Sequence, residues 1–489
     1  MNEDLRRAEA SVEKLAATRN DRWYPRFHIA PVGGWLNDPN GLCHYNGRYH
    51  VYFQHDPYRP TWGLMHWGHV SSADLIQWRR EPIAMAPDLA GDRHGVFSGS
   101  AVVSEAGELV VYYTGHVWLN GVDRAGGVRQ CQMMAVSTDA NHFEKRGVVI
   151  DTPEGIAQFR DPKVWRQGDS WYLVVGVGAR DGSGEIWLYV SDDMVDWRFD
   201  RVLYRSTLPG VFMLECPDFF PLGDRWVLVF SPMGAHPDGF ERRNVHNVGY
   251  VVGHWRPGGD FEVVADHAEL DKGGNFYAPQ TFLAPDGRRL LLGWMAGGPD
   301  QPMPSQQDGW CSQLTVMREL GLTADHTLTM WPIAELDGLR IGTDTVDAFV
   351  LDAEESRVIA DDLTSGEIGI EIDLAASTAE RVGLIVHATT GGDETMIAYD
   401  VQTGRVVTDR HRSGAGQRGY RSAAVVGGTL RMRILLDASS VEVFLDGGRE
   451  AMSSVVFPGD GERRVEVFSE AGTAAITALA VHRIGTIYE

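Results

Sequence analysis

Three acidic residues stand in sequence settings that suit catalysis. Asp38 lies in the segment WLNDPNG, Asp161 in FRDP and Glu215 in MLECPDFF. The Asn, Pro and Gly residues around Asp38 predict a tight turn. The large apolar residues Trp35 and Leu36 beside it would be unusual in a plainly exposed turn. Turn formation alone is the alternative explanation for this segment.

The neighbours of the other two acids predict opposite pKa shifts. Arg160 directly precedes Asp161, and a nearby positive charge lowers the pKa of an acid and keeps it ionised. Glu215 is flanked by Leu214 and Cys216, and burial among such residues raises the pKa, as a general acid at neutral pH requires. The alternatives are a surface ion pair for Asp161 and a structural buried acid for Glu215.

Apolar and aromatic runs that recur along the chain predict the elements that position these acids. The runs are YHVYF (49–53), LVVYY (109–113), WYLVV (171–175), WVLVF (226–230) and LLLGW (290–294), whose starts are 60, 62, 55 and 64 residues apart. A second motif, Ser-x-Asp with an aromatic residue four positions after the Asp, recurs at Ser72, Ser137 and Ser191. Repeats of this length with several short strands are typical of propeller blades. The sequence therefore predicts a five-bladed β-propeller.

The three acids occupy equivalent places in their repeats. Asp38 and Glu215 each lie 11 residues before an apolar run, and Asp161 lies 10 residues before one. Equivalent positions in a propeller face the central axis at the same depth, so we expect the three carboxyl groups to converge on one pocket. Convergent carboxyls with aromatic walls are typical of glycoside hydrolase sites.

The distribution of tryptophan divides the chain. All 15 tryptophans lie between Trp23 and Trp331, and the last 158 residues contain none. Segments there such as EIGIEIDL, TLRMRILLD and SSVEVFLDG alternate apolar and polar residues, which predicts an antiparallel β-sandwich with a structural role. Helical spacing of apolar residues precedes the propeller. We therefore expect an all-β chain with an N-terminal helical arm (1–22), a propeller (23–338) and a sandwich (346–489).

Charge and cysteine usage exclude several classes of partner. The net charge of −23 disfavours binding to nucleic acid or to an anionic membrane. The four cysteines stand alone, with neither zinc-finger nor disulfide-framework spacing. The first residues are charged throughout and lack the apolar run of a secretory signal, which predicts a cytoplasmic protein. HExxH and glycine-rich nucleotide motifs are absent from the sequence, so we expect no metal and no organic cofactor.

Further motifs make the chain similar to a known family. They are FQH (53–55), WG followed by MHWGH (62–69), FSGS (97–100), NFYA (275–278), GWM (293–295) and SSVEVF (439–444). Together with WLNDPNG, FRDP and the EC pair, they resemble glycoside hydrolase family 32, the invertases and β-fructosidases, over essentially the whole chain. The resemblance implies a five-bladed propeller followed by a β-sandwich, in agreement with the repeat count.

The resemblance also implies roles for individual residues. Asp38 matches the nucleophile, Glu215 the general acid/base and Asp161 the stabiliser of the transition state. The positions that match the sugar pocket are Asn37, Gln54, Trp62, Phe97, Ser98 and Arg160, with Tyr277 and Trp294 near the acid/base and the pocket wall. One departure is Asn275, where the family commonly has Asp, and it puts the leaving-group contacts and the pKa of Glu215 in doubt.

The expected activity is that of a retaining β-fructofuranosidase acting on sucrose and short fructo-oligosaccharides. One alternative is a sucrose-6-phosphate hydrolase, for which Arg59, Arg242 and Arg243 are candidate phosphate ligands. A fructosyltransferase would use the same acids. A non-catalytic sugar-binding protein is disfavoured because all three acids are present. A homo-oligomer, if formed, is expected to associate through the β-sandwich.

Overall fold

The computed structural model describes residues 3–296, 298 and 301–488. Five sheets, each containing four antiparallel strands, follow one another along the chain, and the first has an additional short strand. Their strands are β1 (Gly34–Tyr45), β2 (Arg48–Asp56), β3 (His66–Ser72) and β4 (Trp78–Arg80); β5 (Val96–Val103), β6 (Leu109–Trp118), β7 (Val128–Ser137) and β8 (Glu144–Ile150); β9 (Gln158–Gln167), β10 (Ser170–Gly178), β11 (Gly184–Ser191) and β12 (Arg198–Arg205); β13 (Met213–Leu222), β14 (Arg225–Met233), β15 (Gly249–His254) and β16 (Glu262–Glu269); and β17 (Tyr277–Leu283), β18 (Arg289–Trp294), β20 (Arg318–Leu322) and β21 (Leu328–Pro332). The short strand β19 (Trp310–Cys311) pairs in parallel with β1.

These sheets are the five blades of the predicted propeller. The first strands of the blades, β1, β5, β9, β13 and β17, contact one another in a closed ring around the axis. Each apolar run of the sequence repeat falls in the second strand of a blade, where neighbouring blades cover both faces. The Ser-x-Asp motif follows the third strand, and there the Asp carboxylate accepts backbone N–H bonds in the turn toward the fourth strand. The fold prediction is confirmed.

The remaining strands form a sandwich of two antiparallel sheets. One contains β22 (Arg340–Val346), β23 (Phe349–Leu351), β25 (Gly366–Asp373), β30 (Thr429–Asp437), β31 (Ser440–Leu445), β32 (Glu450–Val455) and β34 (Ala474–Ile484). The other contains β24 (Ser356–Ala360), β26 (Arg381–Ala388), β27 (Thr395–Asp400), β28 (Arg405–Asp409), β29 (Tyr420–Ala424) and β33 (Arg464–Glu470). Alternate residues such as Ile368, Ile370 and Ile372 are buried between the sheets, as the period-two pattern predicts.

Helical structure is confined to short segments of the described residues. The helix α1 (Glu3–Ala16) packs on the propeller, where Glu9 Oε1 accepts the backbone N–H of Ile83 at 2.5 Å. Three 3₁₀ turns span Arg124–Gly126, Pro304–Asp308 and Ala334–Leu339. Within the described ranges, no helix has both the length and the apolar character needed to cross a bilayer.

A buried network of charges joins the propeller to the sandwich. His28 contacts Asp437 at 2.8 Å and Glu442 at 2.7 Å, and all three side chains are fully buried. Arg318 of the fifth blade reaches Asp271 at 3.0 Å and also pairs with Glu442. Burial acts to lower the pKa of His28, but its two carboxylate partners raise it to about 9. Glu442 belongs to the SSVEVF motif, which here has an architectural role.

Asn275 lies in this junction and outside the wall of the central cavity described below. Its Oδ1 accepts a bond from Arg410 Nη1 at 2.6 Å and another from the backbone N–H of Val455 at 3.1 Å. Burial lowers the pKa of Arg410 to about 10. The expected effect of Asn275 on leaving-group contacts therefore has no direct structural basis, because the side chain faces the sandwich.

Replacing Asn275 by Asp should stabilise this junction. The amide Nδ2 of Asn275 has no hydrogen-bond partner within the described residues, and Asn275→Asp would put a carboxylate oxygen there, beside a cation that is already buried. A hydrogen bond to a charged group is worth about 1.5–3 kcal/mol, so the Tm should rise. Asn247→Asp is the control and should lower the Tm, because the Asn247 amide already donates to Asn244 O. Thermal unfolding at pH 7 checks both; an unchanged or lower Tm for Asn275→Asp contradicts the account.

Candidate active site

The inner strand of every blade is interrupted at the same level by a β-bulge. In each case two residues oppose a single residue of the second strand. The bulged pairs are Asn37-Asp38, Phe97-Ser98, Asp161-Pro162, Cys216-Pro217 and Ala278-Pro279. Bulges re-aim side chains, and here they direct them at the propeller axis.

Three of these bulges hold non-glycine residues in the left-handed region. The φ angles are +69° for Asp161, +48° for Cys216 and +46° for Ala278. Each of the three directly precedes a proline. Such backbone costs on the order of 1–3 kcal/mol per residue and persists only where the surrounding structure fixes it. The strain is thus concentrated at the point where the acids are presented.

The bulges surround a cavity of about 550 Å³. Ten of the predicted site residues line it: Asn37, Asp38, Gln54, Trp62, Phe97, Arg160, Asp161, Glu215, Tyr277 and Trp294. The eleventh, Ser98, lies behind Asp38, to which its hydroxyl donates. All of these residues except Trp62 lie in a bulge, directly before one, or on the strand paired with it.

Asp38 is held by donors from three side chains. Ser98 Oγ donates to Asp38 Oδ2 at 2.5 Å, and Gln54 Nε2 lies 3.3 Å from the same oxygen. Asn37 Nδ2 donates to Oδ1 at 3.1 Å, while Trp35 Nε1 fixes the Asn37 amide at 2.7 Å. Burial raises the pKa of Asp38, and the bonds from Ser98 and Asn37 act against that shift. The carboxylate is therefore fixed in one orientation on the axis.

Glu215 is the partner of Arg160, contrary to the sequence expectation. Arg160 Nη2 lies 2.7 Å from Glu215 Oε1, whereas its closest approach to Asp161 is 4.0 Å. Tyr277 donates its phenolic hydrogen to Glu215 Oε2 at 2.5 Å. Burial acts to raise the pKa of Glu215, but the Arg160 charge and the Tyr277 hydrogen bond lower it overall. The raised pKa expected for Glu215 from its apolar neighbours in sequence was wrong.

The pKa of Asp161 is raised, so the lowering that Arg160 was expected to cause is wrong. Its Oδ2 accepts the backbone N–H of Cys216 at 3.0 Å. Burial raises the pKa of Asp161 to about 7, with the charges of Glu215 and Asp38 adding to the shift and Arg160 opposing it. Burial and the two neighbouring carboxyl groups therefore favour the protonated form of Asp161.

The thiol of Cys216 separates two of the carboxyl groups. Its Sγ lies 3.6 Å from Asp38 Oδ2 and 3.5 Å from Asp161 Oδ2. Burial and the nearby carboxylates raise the pKa of Cys216 well above its usual range. A neutral S–H can donate weakly to either oxygen, so the two acids are spaced without a further charge.

Aromatic side chains form one wall, and two of them were missed by sequence reasoning. Phe97 stacks on His116 at a ring distance of 4.1 Å, and Trp118 meets the edge of His116 at 4.1 Å. Burial lowers the pKa of His116 to about 3, so this ring is neutral. His116 and Trp118 continue the LVVYY strand at alternate positions, and that period-two continuation was the signal available for them.

Other lining residues come from loops and carry no such signal. They include Arg124, Phe212 and His246. Gln158, which also lines the cavity, is the first residue of β9. None of the arginines considered as phosphate ligands, Arg59, Arg242 and Arg243, belongs to the lining. Arg59 pairs with Asp56 at 3.1 Å, and Arg242 pairs with Asp238 at 3.3 Å.

Carboxyl groups that converge on one cavity are the arrangement with which most glycoside hydrolases cleave the glycosidic bond. The model of the glycosyl hydrolases family 32 N-terminal domain matches residues 28–332, and that of the family 32 C-terminal domain matches residues 335–483. The chain belongs to glycoside hydrolase family 32.

Individual relatives match over nearly their whole length. A sucrose-6-phosphate hydrolase of Escherichia coli is 41% identical over 482 residues, covering 98% of this chain and 99% of the relative. A raffinose invertase of Escherichia coli is 38% identical, with 98% of each chain covered. The GH32 β-fructofuranosidase of Bombyx mori superposes with a TM-score of 0.87 at 33% identity, covering 99% of this chain and 98% of the other.

Removing the Ser98 hydroxyl should move the acid limb of the pH–rate profile. The bond from Ser98 lowers the pKa of Asp38, so Ser98→Ala raises it. Asp38 then becomes protonated at a higher pH. We expect the acid limb of kcat/KM for sucrose to shift upward by about one pH unit. Ser104→Ala, on the turn after the same strand, is the control. An unmoved acid limb in Ser98→Ala would mean that ionisation of Asp38 does not limit activity.

Proposed function

We propose that the protein is a retaining β-fructofuranosidase that removes the terminal β-D-fructofuranosyl unit from sucrose and short fructo-oligosaccharides. The observation that carries this proposal is the convergence of Asp38, Asp161 and Glu215 in one cavity, with Arg160 paired to Glu215. The four cysteines form no disulfide, which fits action in the reducing cytoplasm.

Asp38 and Glu215 divide the chemistry between them. Asp38 attacks C2 of the fructosyl unit while Glu215 gives its proton to the glycosidic oxygen, so the C2–O bond breaks and the leaving sugar departs as an alcohol. Glu215, now anionic, removes a proton from water, whose oxygen attacks C2 and frees both fructose and Asp38. Two displacements at C2 retain the configuration.

Glu215 must carry a proton when the bond breaks. Arg160 and Tyr277 lower the pKa of Glu215, whereas burial raises that of Asp161. Hydrogen bonds from fructose hydroxyls favour the ionised form of Asp161, and the charge of Asp161 in turn favours the protonated form of Glu215. Asp161 then accepts those hydroxyls more strongly as positive charge develops on the ring. Substrate binding thereby favours the protonated form that Glu215 needs as the general acid.

The names of the relatives support this substrate class. One of the superposed structures is a Bombyx mori GH32 β-fructofuranosidase mutant in complex with sucrose, at a TM-score of 0.88 and 33% identity. The raffinose invertase shares 38% of its residues with this chain. Both act at, or bind, sugars that carry a fructosyl unit.

The roles of the two acids are separated by leaving-group chemistry. Glu215→Ala should nearly abolish sucrose hydrolysis, because glucose is a poor leaving group without protonation. An activated aryl fructoside should still form the fructosyl-enzyme, and added azide should speed its turnover to a fructosyl azide of retained configuration. Product analysis by NMR checks the configuration.

Asp38→Ala is the matched variant for this experiment. No covalent intermediate can form in it, so azide should not give the retained product. Equal loss of sucrose and aryl-fructoside hydrolysis in Glu215→Ala, with no azide effect, would contradict the acid/base role. Retained azide product from Asp38→Ala would contradict the nucleophile role.

Sucrose 6-phosphate is the second candidate substrate, and it fits the relatives equally well. The 41% identical relative is a sucrose-6-phosphate hydrolase. Arg124 supports this candidate, because it lines the cavity with its guanidinium 5.8 Å from the ring centre of Trp62. An arginine in this position can bind a phosphate.

Arg124→Gln distinguishes the two substrates. If the phosphorylated sugar is the substrate, its kcat/KM should fall at least about tenfold, the equivalent of one charge-assisted hydrogen bond, while that for sucrose changes little. Arg93→Gln, an exposed arginine outside the lining, is the control. A wild-type enzyme that prefers sucrose and shows no selective loss in Arg124→Gln would exclude the phosphorylated substrate.

A further inference from the structure

The loop between β14 and β15 links the sandwich to the cavity. This loop spans residues 234–248, and His246 from it lines the cavity. Val245, one residue earlier, is 80% exposed. The conformation of the loop therefore decides which of two consecutive side chains faces the cavity.

A reciprocal pair of asparagines brackets these two residues. The backbone N–H of Asn244 donates to Asn247 Oδ1 at 3.3 Å, and Asn247 Nδ2 donates to Asn244 O at 3.2 Å. Asn247 is buried. Because both ends of the turn are tied together, fixing Asn244 also fixes the backbone that carries His246.

The sandwich fixes Asn244 through one arginine. Arg421 of β29 donates from Nε to Asn244 Oδ1 at 2.7 Å and from Nη2 to Arg243 O at 3.0 Å. Asn244 Nδ2 donates in turn to Gly273 O at 2.8 Å. A second arginine of the same sheet, Arg405 of β28, lies 4.4 Å from the ring centre of Phe240 in this loop.

His246 lies on the Glu215 side of the cavity. Its ring centre is 5.3 Å from that of Tyr277, whose hydroxyl is bonded to Glu215 at 2.5 Å. Asp38 is instead held from the opposite side, by Ser98 and Gln54. A general acid must face the glycosidic oxygen, so side chains beyond Glu215 face the departing sugar.

We propose that His246 contacts the leaving-group sugar and that Arg421 of the β-sandwich is a positioning residue for it, acting through Asn244. This inference rests on the proposed β-fructofuranosidase activity. It gives the second domain a specific part in substrate recognition in addition to its architectural one. Arg421 touches no substrate, and its effect is transmitted by the loop.

Two substrates that share the fructosyl unit test the proposal. Sucrose carries a glucosyl leaving group, whereas methyl β-D-fructofuranoside carries only a methyl group. His246→Ala and Arg421→Met should each lower kcat/KM for sucrose about tenfold, since small misplacement of a binding group has effects of this order or larger. The loss should appear mainly in KM. Hydrolysis of the methyl fructoside should stay near the wild-type rate.

Controls separate this role from general destabilisation. Arg431→Met removes a sandwich arginine that pairs with Glu371 at 3.2 Å, and it should leave both substrates unaffected. The double variant of His246 and Arg421 should lose no more sucrose activity than His246→Ala alone. If Arg421→Met does not fold, Asn244→Ala tests the same link from the propeller side.

The outcomes distinguish this inference from the proposed function. Equal losses on both substrates, additive losses in the double variant, or unchanged sucrose kinetics in His246→Ala would overturn the inference. A wild-type protein that hydrolyses neither fructoside would instead overturn the proposed function itself.

Discussion

The site depends on five β-bulges at one level of the propeller. A regular strand presents alternate residues to its two faces, and the blade faces are buried against neighbouring blades. Each bulge breaks this alternation on an inner strand and directs a side chain to the axis, as at Asp38, Asp161 and Glu215. Asp161 and Cys216, which precede prolines, have left-handed backbone conformations, and this is where the arrangement is strained. Blade packing holds it in place.

Charge balance is the second constraint, and it follows from the first. Bulges that converge on one axis bury three carboxyl groups together, and this burial, with repulsion between the anions, raises the pKa values of Asp38 and Asp161. Arg160 offsets one charge at Glu215, the neutral Cys216 thiol separates Asp38 from Asp161, and the raised pKa of Asp161 favours its neutral form. An acid, a base and a nucleophile can thus coexist in one small cavity.

The propeller could be predicted from the sequence because the second strand of each blade is covered on both faces. Such strands appear in the sequence as continuous apolar runs, for example LVVYY. The acids could also be located from the sequence, since they recur at one place in the repeat. The partner of Arg160 could not be predicted from the sequence, because consecutive residues of a strand do not share a face. Arg160 pairs instead with Glu215 on β13, the inner strand of the next blade. His246 could not be predicted as a lining residue, because it lies in a loop whose conformation depends on a contact with Arg421, and a loop has no periodic sequence pattern.

The central claim is that Asp38 attacks the sugar while Glu215 serves as acid and base. The most direct measurement is peptide mapping by mass spectrometry of Glu215→Ala, quenched in acid during reaction with an activated aryl β-fructofuranoside. The account predicts one fructosyl unit bound covalently to the peptide that contains Asp38. A fructosyl unit on Asp161, or release of the aryl alcohol in a burst with no adduct on any peptide, would contradict it.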